Sequence, residues 1–193
     1  MDTEYGTTLP NRKRLRRKGA DYSDCGSYFI TLCIKERKTL LWDMTQAFAL
    51  NTAHDPLLQT DGFQPVLSRI GEIVQEAILR IPTIYQMVIV DLFSIMPDHV
   101  HLILSIRPDE NGMKVSSTSI PRIIKQFKHA VTTQATGAIW QKSYYDRILR
   151  NAEEYGKACE YIHRNPVNWR NEYLGQHDMP VWEDEPCATA SDQ

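Results

Sequence analysis

The chain has 193 residues, 42% apolar and 24% charged, with a formal net charge of −2. That length holds one domain with its own core, the composition excludes a disordered chain, and no apolar run approaches the ~20 residues of a membrane-crossing helix. The first ten residues are polar and lack a hydrophobic stretch, so no secretory signal and no membrane are expected, and the protein is read as cytoplasmic. Cys25, Cys33, Cys159 and Cys187 form no CxxC pair, so neither a zinc cluster nor a disulfide framework is expected.

The net charge conceals segregation. Arg12, Lys13, Arg14, Arg16, Arg17 and Lys18 place six cations in seven positions. Residues 119–170 carry nine basic side chains against four acidic ones, whereas residues 178–192 carry five acids and no Lys or Arg. The chain divides into a basic arm (1–20), a domain (21–175) and an acidic tail (176–193). Such segregation fits a protein that meets a polyanion on one side.

In chain order, residues 28–34 predict a strand, β-branched and aromatic after the turn signal of Gly26. Residues 42–63 read as an insertion loop with room for a short hairpin. Val66, Ile70, Ile73, Val74, Ala77, Ile78 and Ile81 recur at helical spacing up to Pro82. Residues 85–96 predict a long strand, Pro97 and Asp98 a tight turn, and residues 99–106 the returning strand. After a polar loop, a helix over 121–136 has Pro121 in its first turn and Gly137 as its stop. Residues 140–149 predict a short aromatic edge strand. A last helix opens on an Asn151-x-x-Glu154 capping box and ends before Pro166. The order β-α-β-β-α-β-α is that of an α+β, ferredoxin-like split βαβ sandwich, an antiparallel sheet with helices on one face, plus a C-terminal helix. That topology puts the strand with His99 and His101 mid-sheet, beside the first strand. Fold alone assigns no function.

Alternation along residues 99–106 puts His99, His101, Ile103 and Ser105 on one face, and Val100, Leu102, Leu104 and Ile106 on the core face. Two imidazoles side by side on a strand, ~6–7 Å apart at Cα, suit one divalent metal; two histidines without a ligand are the plainer alternative. The barrel on which zinc hydrolases usually display HxH needs ~250 residues, more than this chain has. Lys157, Tyr161 and Asn165 follow i, i+4, i+8 along one face of the last helix. A tyrosine hydroxyl needs activation to act as a nucleophile, and Lys157 is a candidate for supplying it. The amide oxygen of Asn165 suits a hard cation. Arg122, Lys125 and Lys128 either line a phosphate track or form a solvated helix face. Trp140, Tyr144 and Tyr145 read as core or edge packing, with base stacking as the alternative.

MPDHVHLIL (96–104), WQKSYYDRILRN (140–151) and EYIHRNPVNW (160–169), in that order, resemble the REP-associated tyrosine transposases, members of the HUH single-tyrosine, single-strand DNA transposases. Residues 14–42 resemble the start of that family's domain. The resemblance implies that His99, His101 and Asn165 hold Mg²⁺ or Mn²⁺ and that Tyr161 is the nucleophile. It further implies cleavage and strand transfer of single-stranded, hairpin-forming DNA through a 5′-phosphotyrosine, by a monomer or homodimer. Asp98 stands where Asn is frequent in the family, and the 42–63 insertion is a second departure. Two rival readings stand beside this one: a catalytically silent, domesticated DNA- or RNA-binding module, and a replication-initiator or relaxase-type nickase.

The basic arm has no apolar periodicity with which to fold onto a core, so it is expected to contact phosphates. Counterion release then makes DNA binding steeply salt-dependent, with a slope of roughly 0.7 per neutralised phosphate on single strands. Deleting residues 1–18 is expected to flatten that slope by about two to four units, read from binding isotherms at increasing salt. An unchanged slope would make the arm a bystander.

Overall fold

The computed structural model describes residues 25–49, 65–113 and 118–173. The basic arm with Arg12, Lys13, Arg14, Arg16, Arg17 and Lys18, residues 50–63 of the insertion, and the acidic tail lie outside the described residues. Four strands, β1 (Gly26–Cys33), β2 (Val88–Ile95), β3 (His99–Ile106) and β4 (Tyr145–Leu149), form one antiparallel sheet in the order β2-β3-β1-β4. Five helices accompany them: α1 (Met44–Ala49), α2 (Arg69–Leu79), α3 (Ile81–Ile84), α4 (Ile120–Gln134) and α5 (Ala152–Tyr173). This is the split βαβ arrangement expected from the element order, with β3 central and beside β1.

Strand alternation separates two buried faces. Tyr28, Ile30 and Leu32 of β1 and Val100, Leu102 and Leu104 of β3 point into the larger core, where the apolar stripes of α2 (Ile73, Val74, Ile78) and α4 (Ile120, Ile123, Ile124, Phe127, Val131) cover them. Ile103 points the other way and meets Leu149 with Ala158 and Ile162 of α5. The sheet is therefore sandwiched, with α2 and α4 on one side and α5 on the other. Among the described residues no helix is long and apolar enough to cross a membrane.

Several boundaries differ from the sequence-based expectation. The first long helix begins at Arg69 rather than at Val66, because Ser68 caps it by accepting from Gly71 N–H at 3.1 Å. The long helix stops just before Pro82, as expected: α2 ends at Leu79 with Arg80 as its cap, and Pro82 occupies the first turn of the short α3, where a missing N–H costs nothing. Tyr85 closes α3 by donating its N–H to Ile81, so β2 starts at Val88. Trp140 lies apart from β4 and bridges Ile34. The start of the insertion is not a hairpin: Trp42 is a core residue whose indole donates to Ile95 O at 2.6 Å, and α1 follows. The largest departure is α5, which continues through Pro166 to Tyr173. Proline deletes one helical hydrogen bond, but Trp169, one turn later, packs edge-on against Trp42 with ring centroids 5.0 Å apart. That tertiary contact carries the helix past its breaker.

Gly71 marks the tightest approach between α2 and the chain after β1. A Cβ built there meets Leu41 O at 2.1 Å and Leu67 Cβ at 3.1 Å, so backbone has to shift. Gly71→Ala is expected to lower stability by about 1–3 kcal/mol as an overpacked contact, read as a lower urea midpoint at unchanged slope. Wild-type stability would mean that this junction yields easily.

Candidate active site

The site lies on the sheet face under α5. Its strand side is set by register: Thr31 of β1 pairs with His101, and Cys33 pairs with His99. On α5, Ala158, Tyr161, Ile162 and Asn165 follow i, i+3, i+4, i+7, which turns one stripe toward the sheet. Ala158 and Ile162 anchor that stripe on Ile103, so Tyr161 and Asn165 are positioned by the apolar residues between them. The helix starts cleanly because Asn151 Oδ1 accepts from Glu154 N–H at 2.8 Å, half of the expected capping box. The carboxylate of Glu154 accepts from Arg150 N–H instead of reaching back to Asn151.

His99 and His101 are both buried, and their Nε2 atoms face each other 3.0 Å apart. His99 Nδ1 lies 2.6 Å from Asp98 Oδ1, and His101 Nδ1 lies 2.9 Å from Thr31 Oγ1. A carboxylate only accepts, so His99 carries a proton on Nδ1, and in the neutral ring its Nε2 then presents a lone pair. Burial first, then the neighbouring His99 and Arg37 charges, push His101 well below the ordinary histidine range, so it is neutral near pH 7. Burial alone would raise Asp98; the His99 hydrogen bond and the His99 and Arg37 charges outweigh it and hold the carboxyl below its usual value.

Tyr161 of the same chain packs against this pair. Its ring meets His101 edge-on at 5.1 Å and Phe29 at 6.0 Å, while Phe29 stacks on His101 at 5.3 Å. Asn165, one turn along, is 8% exposed, and its Nδ2 has no hydrogen-bond partner. Contrary to the expectation from Pro166, it lies inside the helix and not at its end.

These residues fit a divalent cation. Two nitrogen ligands ~2.1 Å from one ion, at right angles, stand about 3.0 Å apart, the separation seen between the Nε2 atoms. Both Nδ1 atoms are tied to oxygens behind them, the usual support for metal-binding imidazoles. Among the described residues no trio of His, Cys, Asp and Glu is placed to hold an ion, so a third ligand drawn from these residues would be of another type. Asn165 is buried, and its amide oxygen, not the unpaired Nδ2 donor, would suit that role.

Other sequence-selected residues fall elsewhere. The ammonium of Lys157 sits 2.6 Å from Glu153 in an exposed i, i+4 pair, on the outer stripe that also pairs Glu160 with Arg164. Arg122, Lys125 and Lys128 belong to α4, across the sheet from Tyr161. Arg122 and Lys125 are exposed. Lys128 is half-buried: it donates to Gln141 O and Ser143 O at 2.8 and 2.7 Å, and burial lowers its ammonium to about 8. Trp140 is buried against Phe127. Sequence reasoning missed Thr31, Phe29 and Arg37 at the site, since only cross-strand register brings them to the histidines.

Residues 24–165 match the model of the IS200-like transposases, a span that closes on Asn165. The chain belongs to that family. It is 28% identical over 193 residues to an uncharacterized protein of Haemophilus influenzae, covering 90% of this chain and 98% of that one. It is also 28% identical over 78 residues to the REP-associated tyrosine transposase of Escherichia coli K12, covering 40% and 44% of the two chains. A solved REP-associated tyrosine transposase bound to a REP hairpin superposes with a TM-score of 0.54 at 17% identity, covering 86% of this chain and 88% of that one. At that identity the likeness is one of fold.

An unpaired buried donor costs about 1–3 kcal/mol, and Asn is a poorer helix former than Ala. Asn165→Ala is therefore expected to keep or raise the unfolding free energy of the metal-free transposase, by up to about 1 kcal/mol, in urea titration. A clear loss would make Asn165 a structural residue.

Proposed function

We propose that this transposase cleaves and rejoins single-stranded, hairpin-forming DNA through a covalent bond between Tyr161 and a 5′-phosphate. The observation that carries the reading is the packing of the Tyr161 ring against His101, whose Nε2 faces that of His99 at 3.0 Å. Among the described residues, a buried histidine pair thus lies beside a tyrosine of the same chain. Mg²⁺ or Mn²⁺ held by His99, His101 and Asn165 would supply Lewis-acid polarisation of the scissile phosphate.

Tyr161 Oη loses its proton and attacks phosphorus; the P–O3′ bond breaks, the Tyr–O–P bond forms, and a 3′-hydroxyl leaves. Attack of another 3′-hydroxyl on the phosphotyrosine reverses the step and joins new ends, with no external energy source because the phosphodiester bond energy is conserved. Phe29 and His101 flank the tyrosine ring and fix its orientation, which lowers the entropy lost at the reacting oxygen. The hairpin preference rests on the REP hairpin held by the structural neighbour.

Tyr161→Phe keeps the ring and removes the nucleophile. With 3′-labelled hairpin DNA and Mn²⁺, the wild type is expected to give a covalent protein–DNA band, and Tyr161→Phe none, with DNA affinity within about twofold, a change of about 0.4 kcal/mol, since the ring and its packing are kept. His99→Ala, His101→Ala or EDTA should each remove the band. A persistent adduct in Tyr161→Phe, or full cleavage in EDTA, would sink the proposal.

A further inference from the structure

The turn between β2 and β3 carries several main-chain bonds. Ile34 N–H donates to Asp98 O at 2.8 Å, Leu41 N–H to Pro97 O at 2.9 Å, and Met96 N–H to His99 O at 2.8 Å. Both oxygens of the Asp98 side chain also reach beyond the turn's main chain. Oδ1 meets His99 Nδ1 at 2.6 Å, and Oδ2 takes a charge-assisted bond from Arg37 Nε at 2.8 Å.

Arg37 reaches that carboxylate from a costly backbone. Glu36 and Arg37 both adopt left-handed conformations, with φ of 58° and 53°, where non-glycine residues are disfavoured. Arg37 Nη1 also donates to Cys33 Sγ at 3.3 Å, which ties the guanidinium to the end of β1. The result is a chain from Arg37 through Asp98 to His99, running from a strained turn to the buried imidazole pair. His101 has only a neutral hydroxyl, Thr31, in the equivalent place, so the two imidazoles are supported unequally.

We propose that Asp98, clamped by Arg37, is a positioning residue for His99: it keeps the proton on Nδ1, aims the Nε2 lone pair at His101, and by its negative charge makes His99 the stronger donor to a divalent cation. This rests on the metal reading given above. A carboxylate behind a metal-bound imidazole raises ligand basicity, and its loss typically weakens metal binding about 10–100-fold. Asn at this position still offers an acceptor oxygen but no charge, so it supplies orientation without the added donor strength.

The test titrates the full chain and its variants with Mn²⁺, reading free ion by electron paramagnetic resonance, alongside nitrogen-15 spectra of the histidines without metal. Asp98→Ala is expected to weaken Mn²⁺ binding about 10–100-fold and to spread the His99 proton over both nitrogens. Asp98→Asn is expected to restore the Nδ1–H form and part of the affinity. Arg37→Gln should weaken Mn²⁺ binding less than Asp98→Ala. If Asp98→Ala fails to fold, Asp98→Asn and Arg37→Gln carry the test. Wild-type Mn²⁺ affinity in those two variants, with wild-type protein binding Mn²⁺ and His99→Ala losing it, would overturn the positioning role and leave the metal reading standing. Absence of Mn²⁺ binding in the wild type, or its survival in His99→Ala, would overturn both.

Discussion

The central strand is buried on both faces, and the rest of the molecule answers to that. Val100, Leu102 and Leu104 require α2 and α4 on one side; Ile103 requires an apolar cover on the other, which Ala158 and Ile162 provide. Burying an aliphatic side chain of this size contributes roughly 1.5–3 kcal/mol, so the docking of α5 is driven by ordinary hydrophobic contacts and not by the polar residues beside them. Once α5 is docked, helical periodicity leaves no choice about where Tyr161 and Asn165 go. The polar cluster is carried into place by its apolar neighbours.

That arrangement has an electrostatic cost. Two imidazoles, a carboxylate and an amide sit in or near the protein interior, where an unpaired polar group is expensive. The fold meets most of it locally: Asp98 and Thr31 take the two Nδ1 atoms, and Arg37 takes the remaining carboxylate oxygen. What is left is a pair of opposed Nε2 atoms and one stranded amide terminus. Thr31 adds adaptability, since a hydroxyl is both donor and acceptor. It can donate to His101 Nδ1 or accept from it, according to which ring nitrogen carries the proton.

Period-2 patterning made β3 readable to the residue, and with it the facing of His99 and His101. The tyrosine helix was readable for the same kind of reason, from the spacing of Tyr161 and Asn165. What failed was local reasoning overridden by distant contacts. Pro166 reads as a stop until Trp169 finds Trp42, 127 positions back along the chain. Lys128 reads as a surface charge until the carbonyls of Gln141 and Ser143 fold over it. Thr31 and Phe29 carry no signal of their own; only the β1–β3 register, fixed by the whole sheet, sets them beside His101.

The indole pair that carries α5 past its proline also gives the molecule a built-in optical probe. Trp42 is fixed to the sheet by its bond to Ile95 O, while Trp169 rides on the tyrosine helix. At 5.0 Å and 69° the two transition dipoles are close enough to couple, and the coupling vanishes when the helix end lifts. Circular dichroism in the aromatic bands therefore follows the seating of α5 on the sheet in the unlabelled protein, independently of any chemistry at Tyr161.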